Sequence, residues 1–274
     1  MKVFYLGLFL FWSLSLFSQE LFNTSARFSD GKNNYRPERV ALHQRIISKY
    51  KNKFRALSKR KIPLAIFMAG GPGSGKSTGM RALDKAGILR LKRYVIVDSD
   101  AIKEFIPEYA DFKKINVKRA ASLVHSESSY LKDKIFRIGI EQRVNIILDG
   151  TLSNYRKYEG VISSIRPLGH SIKIIYVKAS LPELIKRVDA RAKRTGRMVP
   201  HSFVKKSVKS IQESVSGLET MVDATFHIDN ENRPIIEKVV FRSGKTKIYN
   251  RSLNRMPKKT SLQLRKILEG TRAQ

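Results

Sequence analysis

The sequence predicts an α/β fold, a parallel sheet with flanking helices on both faces. Three observations carry this. Short apolar runs without alternation, such as Leu64-Ala65-Ile66-Phe67-Met68, fit strands buried on both sides. Between them lie segments with apolar residues every three to four positions, as βαβ units require. Polar punctuation at Gly70, Asp98 and Asp149 ends three of the runs, and open α/β sheets place their sites at such strand ends.

The elements follow in order. Met1-Lys2 precedes an apolar stretch from Val3 to Phe17, then Ser18-Gln19-Glu20. This reads as a signal peptide over residues 1–18, because the run is short for a spanning helix of ~20 residues. Export is the expectation; an uncleaved membrane anchor or a cytoplasmic chain are the alternatives. Residues 19–36 are polar and read as a linker. From Pro37, Val40, His43, Ile47, Tyr50, Phe54 and Leu57 recur at helical spacing. Leu64–Met68 is the first strand, and a helix-compatible segment runs from Thr78 to Lys85. Tyr94–Val97, Asn145–Leu148, Ile172–Val177 and Ala224–Ile228 are further strands, with residues 117–142 mostly helical. Ser180-Leu181-Pro182-Glu183 is a capping-box helix start. Val204, Val208, Ile211, Val215 and Leu218 make an amphipathic helix after Pro200. The domain is expected over 37–235. A basic extension over 236–274 carries a weak strand at Lys247–Tyr249 and a helix near Leu262–Leu268.

Composition removes several function classes. No cysteine is present, which excludes a disulfide scaffold, a thiol nucleophile and thiolate zinc. The five histidines, His43, His125, His170, His201 and His227, lack ligand spacing on a helix, which argues against a zinc enzyme. Lys and Arg number 54 against 23 Asp and Glu, a formal net charge of +31. Such a surplus suits an anionic partner: nucleic acid, an acidic membrane surface or a phosphorylated small molecule. Compositional bias accounts for it equally well.

The segment Gly70-Gly71-Pro72-Gly73-Ser74-Gly75-Lys76-Ser77 satisfies G-x-x-x-x-G-K-[ST] between a strand and a helix. Glycines let successive N–H groups face one anion, and the helix amino terminus adds positive charge. Gly71, Pro72, Gly73, Ser74, Gly75, Lys76, Ser77 and Thr78 are therefore the expected nucleotide cradle. Lys76 reaches the β- and γ-phosphates, and Ser77 holds Mg²⁺. Asp100, after the second strand, is placed to accept the proton of a substrate hydroxyl, or else to cap the next helix. Asp98 serves the Mg²⁺ shell or the loop. Asp149-Gly150-Thr151 ends the third strand and can orient the acceptor, with a helix-capping turn as the plain alternative. Arg187, Arg191 and Arg194 share a helix face, and Arg197 lies just beyond. Guanidinium groups stabilise a transferring phosphoryl group, although a solvated basic face claims some of the four. Glu127 could bind substrate hydroxyls; taken alone it reads as a surface glutamate.

With these residues in place, the chain resembles the zeta-toxin family of P-loop small-molecule kinases over about residues 40–235. The likeness rests on the order and spacing of Gly70–Ser77, Val97-Asp98-Ser99-Asp100 with Pro107, Asp149-Gly150-Thr151, Ile185-Lys186-Arg187, and Arg197-Met198-Val199-Pro200. It implies a P-loop sheet of the nucleoside- and nucleotide-kinase kind. It also implies ATP and Mg²⁺ as cofactors, and phosphorylation of a UDP-activated amino sugar on a hydroxyl. By resemblance Asp100 is the general base, Lys76 and Ser77 hold phosphate and metal, and Arg187 and Arg197 clamp phosphate. Thr151 falls where the family has a substrate-contacting threonine. Asp149 stands where well-known members carry glutamate, which bears on the substrate more than on catalysis. A small antitoxin is the implied partner, and export of an ATP-dependent enzyme implies delivery into another cell. Two other functions fit the same residues. One is a polynucleotide 5′-hydroxyl kinase, which the charge suits but which lacks interleaved aromatic residues for stacking bases. The other is a nucleotide-binding, non-catalytic interaction module.

Overall fold

The computed structural model describes residues 23–31, 33–196 and 198–270. The stretch read as a signal peptide or anchor, residues 1–18, lies outside the described residues. Among those described, no helix is long and apolar enough to cross a membrane.

The helices are α1 Thr24–Phe28, α2 Pro37–Lys51, α3 Lys76–Lys85, α4 Ser99–Lys103, α5 Pro107–Leu123, α6 His125–Glu141, α7 Tyr155–Ile165, α8 Leu181–Thr195, α9 His201–Leu218 and α10 Lys258–Glu269. The strands are β1 Leu64–Ala69, β2 Val95–Asp98, β3 Ile146–Asp149, β4 Ser171–Lys178, β5 Ala224–Asp229, β6 Ile235–Phe241 and β7 Thr246–Ser252. They form one sheet in the order β2-β3-β1-β4-β5-β6-β7. The first five in that order are parallel, and β6 and β7 extend the sheet antiparallel beside β5.

Each strand sends alternate residues to opposite faces. Ala65, Phe67 and Ala69 of β1 join one core with Val97, Leu148 and Ile174, covered by α2, α5, α6, α7 and α9. Leu64, Ile66 and Met68 join the other with Ile147, Ile175 and Phe226, covered by α3 and α10. This two-sided burial is why the apolar runs show no alternation.

The parallel strands match their expected places to within a residue or two. The capping box at α8 takes a different form. Ser180 Oγ accepts from Glu183 N at 3.4 Å, but the returning carboxylate is that of Glu231. It receives Ser180 N and Ser180 Oγ, both at 2.6 Å. The expected helix over 117–142 is two helices divided at Val124, the first starting with Pro107 in its opening turn.

Two boundaries differ from expectation. The described part of the supposed linker is built into the fold. Asn23 caps α1, Ser29 bridges Tyr35, and Thr24 is fully buried. Tyr35 packs edge-on to His43 with ring centroids 4.5 Å apart. The supposed extension is also integral. Ile236 and Val239 of β6 and Leu264 and Leu268 of α10 complete the second core. Their few apolar residues, spaced among charges, hide a strand and a helix that only the sheet edge makes stable.

Candidate active site

The loop after β1 opens a cavity of about 840 Å³ at the carboxyl end of the parallel strands. Two glycines show why the loop takes this path. Gly73 has φ 81°, and a Cβ there would lie 2.6 Å from the Leu184 carbonyl oxygen. Gly75 has φ 80° and would collide with the Asn230 amide. Gly75 is also the cap of α3 and offers no side chain to that helix's first N–H groups. These groups, with Gly71, Pro72, Lys76, Ser77 and Thr78, line the cavity as an anion site. Ser74 does not line it. Its side chain is buried under the loop, and its carbonyl accepts from Asn230 Nδ2 at 2.9 Å.

Lys76 Nζ donates to the Gly70 carbonyl at 2.9 Å. Desolvation draws its pKa below the ordinary lysine range, while Asp149, Asp98 and Asp100 oppose that shift. Asp149 ends β3. Burial raises its carboxyl to about 6 against the pull of Lys76, and its buried Oδ1 has no hydrogen-bond partner. Burial likewise raises Asp98, whose Oδ1 accepts from Asp100 N at 2.9 Å and so caps α4. Asp100 lies in the first turn of α4 at the cavity wall, 44% exposed, with Oδ1 held by Lys103 Nζ at 2.7 Å. The helix cap expected as an alternative for Asp100 is thus Asp98. Ser77, Asp98 and Asp149 supply only oxygen donors, and a buried carboxylate with an orphan oxygen fits a hard divalent cation such as Mg²⁺. Among the described residues, no cluster of three or more His, Asp or Glu forms a closed metal site.

Thr151 also lines the cavity. Its carbonyl receives Gly70 N at 3.2 Å, tying the end of β3 to the phosphate loop, and its hydroxyl meets Ser153 Oγ at 3.0 Å. Between them Leu152 is fully buried at φ 59°, a conformation leucine seldom adopts. The cost is borne by the core contact, and the turn brings both hydroxyls to the cavity.

The arginines separate. Arg187 lines the cavity, but its donors are largely committed. It bonds Glu183 Oε1 at 2.8 Å and the carbonyls of Gly73, Asn230 and Glu231 at 3.3, 2.8 and 2.6 Å. It braces the phosphate loop against the turn after β5, so the expected phosphate clamp becomes chiefly a brace. Arg191 and Arg194 line the cavity, and the charge of Arg191 acts on Lys76. Arg197 lies outside the described residues.

Glu127 is the clearest departure. It is neither on the surface nor at the cavity but fully buried between α2 and α6. It accepts from Arg39 Nε at 2.6 Å, Arg39 Nη2 at 2.8 Å and His43 Nε2 at 2.6 Å. Burial alone would raise its pKa, yet the bonds from His43 and Arg39 hold it at about 2. Arg39 also pairs with Glu108 at 2.8 Å.

Sequence reading missed Lys103, Lys132, Lys157 and Phe203. His125, Ser129 and Lys132 stand four and three residues apart, so one face of α6 reaches the cavity. That spacing was a usable signal.

A family model described as zeta toxin matches residues 47–254. No curated protein matches the chain in sequence. One similar solved structure is from work on the PezAT chromosomal toxin–antitoxin system of Streptococcus pneumoniae. It has 15% identity and a TM-score of 0.62, covering 86% of this chain and 97% of that one. Another is AvrRxo1-ORF1:AvrRxo1-ORF2 with ATP, at 17% identity and a TM-score of 0.60, covering 79% of this chain and 71% of that one. At these identities the structural likeness speaks to fold. The family match spans most of the chain, from within α2 to beyond β7, and takes in the whole phosphate loop and every strand end described above. The chain therefore belongs to the zeta toxin family and is a P-loop kinase.

Proposed function

We propose that the protein transfers the γ-phosphoryl group of ATP to a hydroxyl of a small molecule, a UDP-amino sugar being the foremost acceptor. One observation carries this reading. The phosphate cradle of Gly71–Thr78 and the Asp100 carboxylate line the same cavity. The cradle and the α3 amino terminus hold the triphosphate, with Lys76 beside its terminal phosphates. The acceptor hydroxyl gives its proton to Asp100 as its oxygen bonds to the γ-phosphorus. The bond from that phosphorus to the β–γ bridging oxygen breaks, and ADP leaves. Arg191 and Arg194 face the charge that spreads over the transferring oxygens. When bound at Ser77 and Asp98, with Asp149 alongside, Mg²⁺ supplies charge neutralisation for the phosphates.

Support for the acceptor class comes from the family alone, so the test is direct. The full chain is incubated with Mg²⁺ and ATP against UDP-sugars and 5′-hydroxyl oligonucleotides, and products are weighed by mass spectrometry. Gain of one phosphoryl group on a UDP-amino sugar is expected. Label confined to the oligonucleotide would instead support a polynucleotide kinase, which the net charge of +31 favours. ATP binding without any transfer would support the non-catalytic module.

Two further parts of the reading concern context. The Val3–Phe17 stretch supports export and delivery into another cell, which fractionation of the producing culture tests. The likeness to a toxin–antitoxin system supports a neutralising protein partner, which co-purification from the native host tests.

A further inference from the structure

The cavity has two ends of different character. The loop after β1 and the arginine helix α8 form one. The other lies beside β2 and β3, where α4 carries Asp100 and α6 presents His125, Ser129 and Lys132, facing Ser153 and Asn154. Nucleotide phosphates have their cations at the first end. Lys132 is a second lysine, at the end where an acceptor must enter to meet Asp100.

Its surroundings are unusual for a lysine. Lys132 is only 7% exposed. Taking an ammonium out of water costs several kcal/mol unless an anion compensates. Its ion-pair contact, Asp133 Oδ1, stands at 3.7 Å, beyond hydrogen-bond reach. The other Asp133 oxygen is engaged by Lys157 Nζ at 2.6 Å. A Cβ on Gly150 would lie 4.0 Å from Lys132 Nζ, which locates the ammonium beside the residue that follows Asp149. Desolvation lowers its pKa, as expected of a cation short of partners. Asp98 and Asp149 feel its charge. Both also serve as candidate ligands for a divalent cation, which would compete with Lys132 for them.

We propose that Lys132 anchors a phosphate group of the acceptor, so that the substrate is an alcohol bearing a phosphate or diphosphate besides the reacting hydroxyl. This rests on the kinase reading of the same cavity. An incoming phosphate oxygen supplies the hydrogen-bonding anion that Asp133 at 3.7 Å does not. Ser129 and Ser153 hydroxyls flank the position and can donate to further oxygens. The group discriminates by charge: a bare sugar leaves the buried ammonium uncompensated, whereas a sugar phosphate or nucleotide sugar does not.

The test uses binding, so that it does not depend on turnover. The full chain is saturated with Mg²⁺ and AMP-PNP, then titrated calorimetrically with UDP-N-acetylglucosamine, N-acetylglucosamine 1-phosphate and N-acetylglucosamine. The first two distinguish a nucleotide sugar from a simple sugar phosphate. The wild type is expected to bind at least one of them and to bind the bare sugar at least about tenfold more weakly. Lys132→Met is expected to weaken the phosphate-bearing probe at least about tenfold and leave AMP-PNP affinity unchanged, while Lys132→Arg keeps most of the affinity. Lys132→Gln serves as a second variant should the methionine not fold. Equal affinity of wild type and a folded Lys132 variant overturns the proposal, as does wild-type binding of none of the phosphate-bearing probes or a preference for the bare sugar. Mass spectrometry with ATP reads the kinase question separately: absent transfer with the binding pattern intact removes the kinase reading and leaves the anion site.

Discussion

Two acidic regions of this molecule use the same residue types to opposite ends. Beneath α1 and α2, Glu127 is buried with Arg39 and His43, and each of its oxygens accepts a short hydrogen bond. At the sheet's carboxyl end, Asp149 is also withdrawn from water, yet its Oδ1 has no partner and its pKa rises to about 6. The first region is complete and holds elements together. The second is incomplete and waits for charge from outside. Satisfaction of hydrogen bonds, rather than burial or residue type, separates a structural carboxylate from a functional one.

The sharpest way to break this contrast is at Asp100. Asp100→Asn should lower kcat by about 10²–10⁴-fold with little change in melting temperature, as expected on losing a general base. Steady-state kinetics beside a thermal melt checks it. An equal loss of stability would place Asp100 with the structural carboxylates.

Glu127→Gln should do the reverse. Removing one partner of a buried pair costs about 3–5 kcal/mol, and turnover per folded molecule should hold. Urea unfolding measures it. Acid titration adds a signature. The pKa of Glu127 falls from 4.5 to about 2 on folding, so its stabilisation is complete above about 4.5. It is lost as pH falls through that window, and the variant should lack this loss.

Asp149 has the opposite sign. Its pKa rises from 3.8 to about 6 on folding, so its contribution is favourable below 3.8 and lost as pH climbs through about 6. Asp149→Asn should therefore stabilise the metal-free protein at pH 7, by on the order of 1–2 kcal/mol, and remove that pH dependence. Chemical denaturation in EDTA across pH 4–8 checks it. Unchanged stability would mean that the apparent frustration of this carboxylate is met by neighbours.

The smallest effect concerns Arg187, which belongs with the structural group despite lying in the cavity. Arg187→Lys cannot span Glu183 and three carbonyls at once. The KM for ATP should rise roughly tenfold, with kcat less affected. A loss confined to kcat would restore the phosphate-clamping role that the sequence suggests.

The contrast also explains what could be read from the chain alone. The phosphate loop was legible because its glycines and Lys76 are contiguous and fall between a strand and a helix. The parallel strands were legible because burial on two faces leaves unbroken apolar runs such as Leu64–Met68. Glu127 was misread because its partners, Arg39 and His43, lie far off in sequence and reach it only when α2 packs on α6. Lys132 was overlooked because a lysine in a basic helix resembles any other until the helix face is oriented. α7, β6 and α1 gave weak local signals, since their burial depends on neighbours brought by the sheet rather than on their own periodicity. Arg187 shows the converse: its position pointed to phosphate, while the carbonyls that occupy it come from backbone geometry that side-chain patterns do not record.

The measurement closest to the central claim is calorimetric titration of the full chain with Mg²⁺ and AMP-PNP, in the wild type and in Lys76→Met. One binding event is expected for the wild type, weakened at least about tenfold by the substitution in a protein that still melts cooperatively. Absence of heat with folded wild-type protein, or equal affinity in both, would contradict the assignment of this cavity to a nucleoside triphosphate.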